Sequence, residues 1–422
     1  MPEVKTIKLD AIIFDPDVYP RQKHDPQLVQ RYAESLASIE AQHNYLSISE
    51  NLKLVDGRHR QLAYMTACPN EPAREIPVFV YPVTSDDDIH DLACRLNSEH
   101  GWQMTVEDKR REAIKMYTRA NRATQEDIAG TLKVGHDQVS KWLSAILQQE
   151  KEEREATIWG MWLACHAQQE IADEVGLSQI SVSEILQEIS EKSQREDSDI
   201  FRNFEAKIYT VWNFAKLTNA ATVFGSIPQE IVDNLLYYYT RPFDVVFDPF
   251  GGGGSTIDRC IERKRRYYVS DLNPIPARDD IRQWDIARGL PDDLLVPDFV
   301  FLDPPYWKQA AGRYSDKPTD LGNVELDSFL STIADITKAV KRKWGQSRPN
   351  ARLALIIGMW KHDGQYIDLP FLCYQTISKY LELDIRIQVP YSTQVHGGKY
   401  VEQAKAQKEI LYLSRDLMVF KL

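Results

Sequence analysis

Between Asp244 and Leu422, short apolar runs alternate with helically spaced segments. DVVFDPF, YYVSDLNP, DFVFLDPP, RLALIIGM, DIRIQVP and EILYLSRDLMVFKL read as strands, with helices between the early ones. Strand and helix in alternation predict a doubly wound parallel α/β sheet, here closed by an antiparallel hairpin at its end. The first three runs carry Asp248, Asp271 and Asp303 at or just past their ends.

The residues after the third run carry the most chemistry. Asp303, Pro304, Pro305 and Tyr306 suit a substrate that is the exocyclic amino group of a base. Such a nitrogen is conjugated with its ring and is a weak nucleophile. The Asp303 carboxylate and the Pro304 carbonyl can accept its two N–H hydrogens and aim its lone pair at an electrophilic methyl. Pro305 stiffens the loop, and Tyr306 is placed to stack on a flipped base. The bland alternative is a proline-rich turn after a strand.

DVVFDPFGGGGST supplies the context: a strand, an acid, four glycines and the start of a helix near Thr256. The glycines let a ligand approach the backbone, and Asp248 is expected to hold a cationic amino group. Thr256 stands where a dinucleotide fingerprint needs its last glycine, so that motif is excluded. Asp271 ends the next strand 23 residues after Asp248, the usual place for an acid that binds ribose hydroxyls. Asp285, in RQWDIA, is either a contact to a cofactor adenine or an ordinary helix-capping aspartate.

Together these residues resemble the amino-group DNA methyltransferases that use S-adenosylmethionine, over Phe201 to Leu422. The resemblance implies a Rossmann-like catalytic sheet and makes Asp303, Pro304, Pro305 and Tyr306 its catalytic motif. It makes Asp248, Pro249, Phe250, Gly251, Gly253, Ser255 and Thr256 its cofactor loop, joined by Asp271 and Asp285. It also makes QKEILYLSRDLMVF the closing hairpin. The DPPY form leans towards adenine N6; cytosine N4 or an RNA base stays open. Methylation at cytosine C5 needs a nucleophilic cysteine, usually after proline, and none of the five cysteines follows one. The cysteines form no zinc spacing, so no metal is expected. Lys308, Arg313 and Lys317, in the loop after the motif, are expected to touch the substrate strand.

The N-terminal half reads differently. About residues 1–104 mix strands and helices as an α+β module. In it, a strand leads through Asp56 and Gly57 to Arg58, His59 and Arg60 at a helix start, an arrangement suited to an anion. DGRHR resembles the phosphate box of the ParB and sulfiredoxin fold, and LNSEHG followed by TVEDKRREAI resembles a later ParB segment. That implies phosphate binding by Gly57, Arg58, His59 and Arg60. Residues 105–150 read as an all-α helix-turn-helix, with His136, Gln138 and Lys141 facing the DNA major groove. Residues 151–199 form a second, acidic helical unit and linker, expected to pack on another helix or subunit, with self-association through the N-terminal half as one outcome. Residues 200–422 are the methyltransferase domain.

Net charge is -11 over 422 residues, a poor match to phosphate if spread evenly. It is not: residues 148–199 hold 13 acidic and 4 basic side chains. The expected partner is therefore DNA, with no membrane span, a cytoplasmic and DNA-associated location, and S-adenosylmethionine as cofactor. A DNA-binding adaptor with a cofactor-sensing but inactive half is the rival reading.

Overall fold

The computed structural model describes residues 2–21, 23–99, 104–195, 200–214, 227–309, 312, 314–391 and 398–422. The chain divides into two compact units, Met1–Glu152 and Glu153–Leu422.

The first unit opens with β1 (Glu3–Lys8), α1 (Pro26–Glu34), α2 (Leu36–Ala41), β2 (Leu46–Ser49), β3 (Leu54–Asp56), α3 (Arg58–Ala67) and β4 (Glu75–Tyr81). Its sheet has the order β1-β4-β2-β3, with β2 parallel to β4 and the other pairs antiparallel. Leu46, Ile48, Leu54, Ile76 and Val78 fill the core beneath it. Four helices follow: α4 (Asp86–Glu99), α5 (Val106–Thr118), α6 (Gln125–Leu132) and α7 (His136–Leu163). Thr105 with Asp108, and Thr124 with Asp127, form reciprocal capping boxes that start α5 and α6. Lys133 adopts a left-handed conformation and stops α6. Ile128, Leu132, Val139 and Leu143 pack between α6 and α7, and the division between the units falls within α7.

In the second unit, α8 (Gln168–Val175) ends at left-handed Gly176 and is followed by α9 (Gln179–Arg195). Ile171, Ala172, Val182 and Leu186 pack with Ile158 of α7, so the acidic stretch rests on a helix of its own chain. Then come α10 (Gln229–Tyr239), β5 (Val245–Asp248), α11 (Ser255–Glu262), β6 (Arg266–Asp271), β7 (Arg282–Gln283), β8 (Phe299–Leu302), α12 (Leu326–Trp344) and β9 (Arg352–Gly358). The small pair β10 (Trp360–His362) and β11 (Gln365–Ile367) precedes α13 (Leu369–Ile377), β12 (Glu382–Pro390), α14 (Gly398–Ala406) and β13 (Ser414–Lys421).

The seven-stranded sheet has the order β12-β13-β9-β8-β5-β6-β7. Strands β5 to β9 pair in parallel, and β13 runs antiparallel to both β9 and β12. α12 and α13 cover one face, α10 and α11 the other. That explains why β5, β8 and most of β9 read as unbroken apolar runs. The closing element differs from the expected hairpin. QKEILYLSRDLMVF holds one strand, not two; its partner β12 lies before α14 in the chain, so a long connection replaces a tight turn. Among the described residues no helix is long and apolar enough to cross a membrane.

Candidate active site

Strand alternation gathers the chemistry on one face. Val246, Val269, Phe301, Ile356, Val389 and Leu417 lie in the core on the α10 and α11 side. Two residues along each strand, the same alternation brings Asp248, Asp271, Asp303, Gly358, Tyr391 and Arg415 to that side. Because β13 is antiparallel, Arg415 near its start lies at the carboxyl edge of the parallel strands, opposite Gly358. This edge is the usual crevice of an open α/β sheet.

Asp248 shapes the glycine loop. It is 2% exposed and, unlike the expected open anchor for a cationic amino group, it has both oxygens engaged. Oδ1 accepts from the Phe250 N–H at 2.9 Å, and Oδ2 from the Thr256 hydroxyl at 2.6 Å. Burial, helped by repulsion from Asp271, pushes its pKa up to about 7 against these donors. Pro249 and Phe250 continue the turn, and Ser255 opens α11 behind left-handed Gly254. Gly251 runs tight against β6: a Cβ there would lie 2.6 Å from Val269 Cγ1. Gly253 offers its carbonyl towards Arg278.

Asp271 ties this loop to the next one. Its Oδ2 accepts from Gly252 N–H at 2.9 Å and its Oδ1 from Asn273 N–H at 2.8 Å. A carboxylate has further lone pairs, so Asp271 can still accept from a diol. An acid at the second strand end beside a glycine turn that tolerates no side chain fits a nucleoside-bearing cofactor. Asp285 takes the capping role: it starts a 3-10 turn and accepts from Ala287 N–H.

Asp303 follows β8 directly, and among the described residues no hydrogen bond from a cation neutralises it. Burial pushes its pKa up to about 7; nearby Arg415 works against the rise and Asp248 adds to it. Tyr306 is raised as well, first by burial and then by Asp303, while the positive charge of Arg415 opposes this. Sequence reasoning missed Arg415, Tyr391, Tyr314 and Gly358. Arg415 is 6% exposed and its guanidinium stands 4.8 Å from the Tyr391 ring centre. Tyr314 is raised by burial and by Asp303. The available signal was an arginine in phase with the apolar residues Leu417 and Val419.

The loop after the motif is braced from within. Trp307 donates to Val324 O, Asn323 to Ser315 O, and the Lys308 ammonium to Asn323 O at 2.7 Å. Lys317 donates to Leu272 O at 2.7 Å, reaching the loop beside Asp271 rather than open solvent. Arg313 lies outside the described residues.

In the first unit the box at Gly57 is closed on itself. Arg60 pairs with Asp56 at 2.6 Å and donates to Tyr45 O at 3.0 Å. Arg58 lies 3.7 Å over the Phe14 ring and donates to Gln61. His59 accepts from Asp25 N–H at 2.9 Å, and burial pulls its pKa down to about 4. These partners compete with any phosphate. His136, Gln138 and Lys141 are exposed on α7. Elsewhere in this unit, ligand-type atoms of His90, Cys94 and Glu112 lie within 4.8 Å of one another. His90 and Glu112 are hydrogen-bonded at 2.8 Å and Arg111 takes the other Glu112 oxygen, which makes this a closed polar network.

Comparison with known proteins agrees with the chemistry of the second unit. A family model described as DNA methylase, of the N6/N4 kind, matches residues 102–275, which include the glycine loop and Asp271 and stop before Asp303. The chain is similar to the Type II methyltransferase M.Cfr9I of Citrobacter freundii, 35% identical over 81 residues, or 19% of this chain and 26% of that protein. It thus spans about a quarter of the length of that curated relative. Among solved structures, the C-terminally truncated chromosome-partitioning protein ParB from Caulobacter crescentus, complexed with CTP-γ-S, aligns at 16% identity. That match has a TM-score of 0.20 and covers 33% of this chain and 77% of that one. Precorrin-6y C5,15-methyltransferase from Geobacter metallireducens aligns at 12% identity and a TM-score of 0.30, covering 51% and 98%. The family whose model the chain matches is that of the N6/N4 DNA methylases.

Proposed function

We propose that this protein is a DNA amino-methyltransferase that uses S-adenosylmethionine and acts on adenine N6. The observation that carries the reading is the convergence of Asp303-Pro-Pro-Tyr306 with the glycine loop and Asp271 at one sheet edge and on one face. S-adenosylmethionine supplies an electrophilic methyl on a positively charged sulfur, which becomes a neutral thioether as the methyl leaves.

The chain's own residues do the rest. Asp271 accepts from the ribose hydroxyls, and Gly251, Gly253, Ser255 and Thr256 form the floor that Asp248 holds in shape. Pro249 and Phe250 fix the entrance to the turn. Tyr306 stacks on the flipped base, and Pro305 limits the loop to the geometry that permits it. Asp303 and the Pro304 carbonyl accept the two amino hydrogens. As the amino nitrogen takes up the methyl that the bound cofactor would supply, leaving the neutral thioether, it would shed one proton to the Asp303 carboxylate, whose raised pKa suits it to that task. No covalent link to the protein is needed.

The first unit is the targeting half, with the box Gly57, Arg58, His59 and Arg60 as its phosphate-binding element and α6–α7 presenting His136, Gln138 and Lys141 to DNA. The site of action follows the substrate: the DNA-bearing cytoplasm. The test is methyl transfer from labelled cofactor to unmethylated DNA, followed by mass spectrometry of the digested nucleosides. N6-methyladenine is expected, and Asp303→Ala should lower the rate by about 10³-fold with cofactor binding retained. N4-methylcytosine would move the acceptor within the same chemistry. An unmethylated product from the native chain would leave a cofactor-sensing DNA adaptor instead.

A further inference from the structure

Arg415 is a buried cation near the start of β13, which runs Ser414-Arg-Asp before its apolar stretch Leu417–Phe420, and nothing in the chemistry above uses it. It is 6% exposed on β13, and its neighbours Leu417, Met418, Val419 and Phe420 are fully buried. A guanidinium is costly to bury unless it meets charge or aromatic faces. Here its Nε finds no hydrogen-bond partner among the described residues.

Its surroundings are the catalytic motif. Register places Arg415 opposite Gly358 at the crevice end of β9. Gly358 supplies the room: a Cβ there would lie 3.1 Å from Tyr391 Oη, 3.5 Å from Arg415 Cγ and 3.6 Å from Tyr306 Cε2. Around that missing side chain Tyr391, Arg415 and Tyr306 converge, with the Arg415 guanidinium over the Tyr391 ring. Arg415 and Tyr306 are also electrostatic neighbours, each favouring the charged form of the other.

Resting on the proposed methyl transfer, we infer that Arg415 is its positioning residue: held over the Tyr391 ring above Gly358, it packs beside Tyr306 to fix that ring and presents its charge at the sheet edge that carries Asp303. The groups facing Asp303 are Arg415 from β13, Asp248 from the end of β5, Tyr391 beyond β12, and Tyr306 and Tyr314 from its own loop. Among the described residues that act on Asp303, Arg415 is the one cation. Asp303 must be ionised to accept amino hydrogens, and burial together with Asp248 opposes ionisation. Loss of Arg415 therefore moves the acidic limb of the rate profile upward.

The experiment uses the full chain and unmethylated DNA, with kcat followed from about pH 5.5 to 9. Native activity comes first: its absence defeats the methyltransferase reading and leaves nothing for Arg415 to position. Given native activity, Arg415→Met should raise the midpoint of the acidic limb by about one unit or more and lower kcat about tenfold at its new plateau. KM for S-adenosylmethionine should stay within about twofold. Arg415→Lys keeps a charge but lacks the fork, so the midpoint should hold while kcat falls. If the Met variant does not fold, Arg415→Gln is read in the same way. A Met or Gln profile that falls equally at every pH, or a rise in cofactor KM instead of a fall in kcat, would overturn the inference.

Discussion

Gly57–Arg60 in the first unit and Asp248–Thr256 in the second are both glycine turns leading from a strand into a helix. They handle charge in opposite ways. At the first turn, Arg60 is spent on Asp56 and on backbone carbonyls, and His59 is buried as a neutral acceptor. At the second, the buried Asp248 carboxyl is pushed towards neutrality, as is Asp303 at the same sheet edge, where Arg415 opposes the shift. A closed network of this kind stabilises its own unit. Buried acids held away from their ordinary pKa are a poor way to stabilise a fold and a useful way to meet a ligand.

The contrast gives opposite responses to pH, which is the largest effect to look for. The His59 pKa falls from 6.5 in an unfolded chain to about 4 in the folded one. Between those values the unfolded chain binds more protons, so this contribution is complete above pH 6.5 and lost as pH falls to 4. It amounts to roughly 3 kcal/mol. Asp248 and Asp303 run the other way: their folded pKa values of about 7 exceed the ordinary 3.8, so their contribution is present at low pH and fades as pH rises through 7. Denaturant unfolding of the native chain and of His59→Gln, compared between pH 7 and pH 4, should show less acid loss in the variant. Equal acid loss in both would mean that the first turn is not closed as described.

A substitution at the second turn sharpens the comparison at a smaller scale. Gly251→Ala forces a methyl to 2.6 Å from Val269 Cγ1 and 3.3 Å from the Ser270 carbonyl. The loop must move, at about 1–3 kcal/mol for overpacking. Since Gly252 N–H and Asp271 share that geometry, cofactor affinity should fall about tenfold or more, as calorimetric titration with S-adenosylmethionine would show. Unchanged affinity would place the cofactor elsewhere than over this loop.

What could be read from the chain follows the range of the interactions involved. The alternating second half, and the acids at the ends of β5 and β6 and just after β8, are local patterns, so the sheet and its acidic edge are legible in order. Arg415 is not. Its meaning depends on an antiparallel register with β9 and on the absent side chain at Gly358, far apart in sequence. The bracing of the box at Gly57 is only partly local: Arg60 pairs with Asp56 four residues away, but it also donates to the Asn44 and Tyr45 carbonyls, and His59 accepts from the distant Asp25 N–H. Lys317 looked like a strand contact by its charge alone, while its ammonium is committed to Leu272 O. The sequence pattern sets a boundary at residue 150, yet α7 runs through it to Leu163, where Trp159 and Trp162 stack at 5.2 Å and pack against Phe243. Tertiary contacts of that kind extend a helix without any local signal.

The smallest effect separates the two helical pairs. α6–α7 presents exposed His136, Gln138 and Lys141, whereas α8–α9 carries Glu170, Asp173, Glu174, Glu184 and Glu188 and no lysine or arginine between Gln168 and Ile189. Only the first pair suits phosphate. Lys141 stands on the exposed side of α7, away from Val139 and Leu143 in the core, so its removal leaves packing intact. Lys141→Ala should weaken DNA binding by about 1 kcal/mol or less and reduce the slope of log affinity against log salt by about one. The stability of the chain should not change. Fluorescence anisotropy with a labelled duplex at several salt concentrations reads both quantities. Glu174→Ala on the second pair, measured alongside, should leave the slope unaltered; if it and not Lys141→Ala changed the slope, the roles of the two pairs would be reversed.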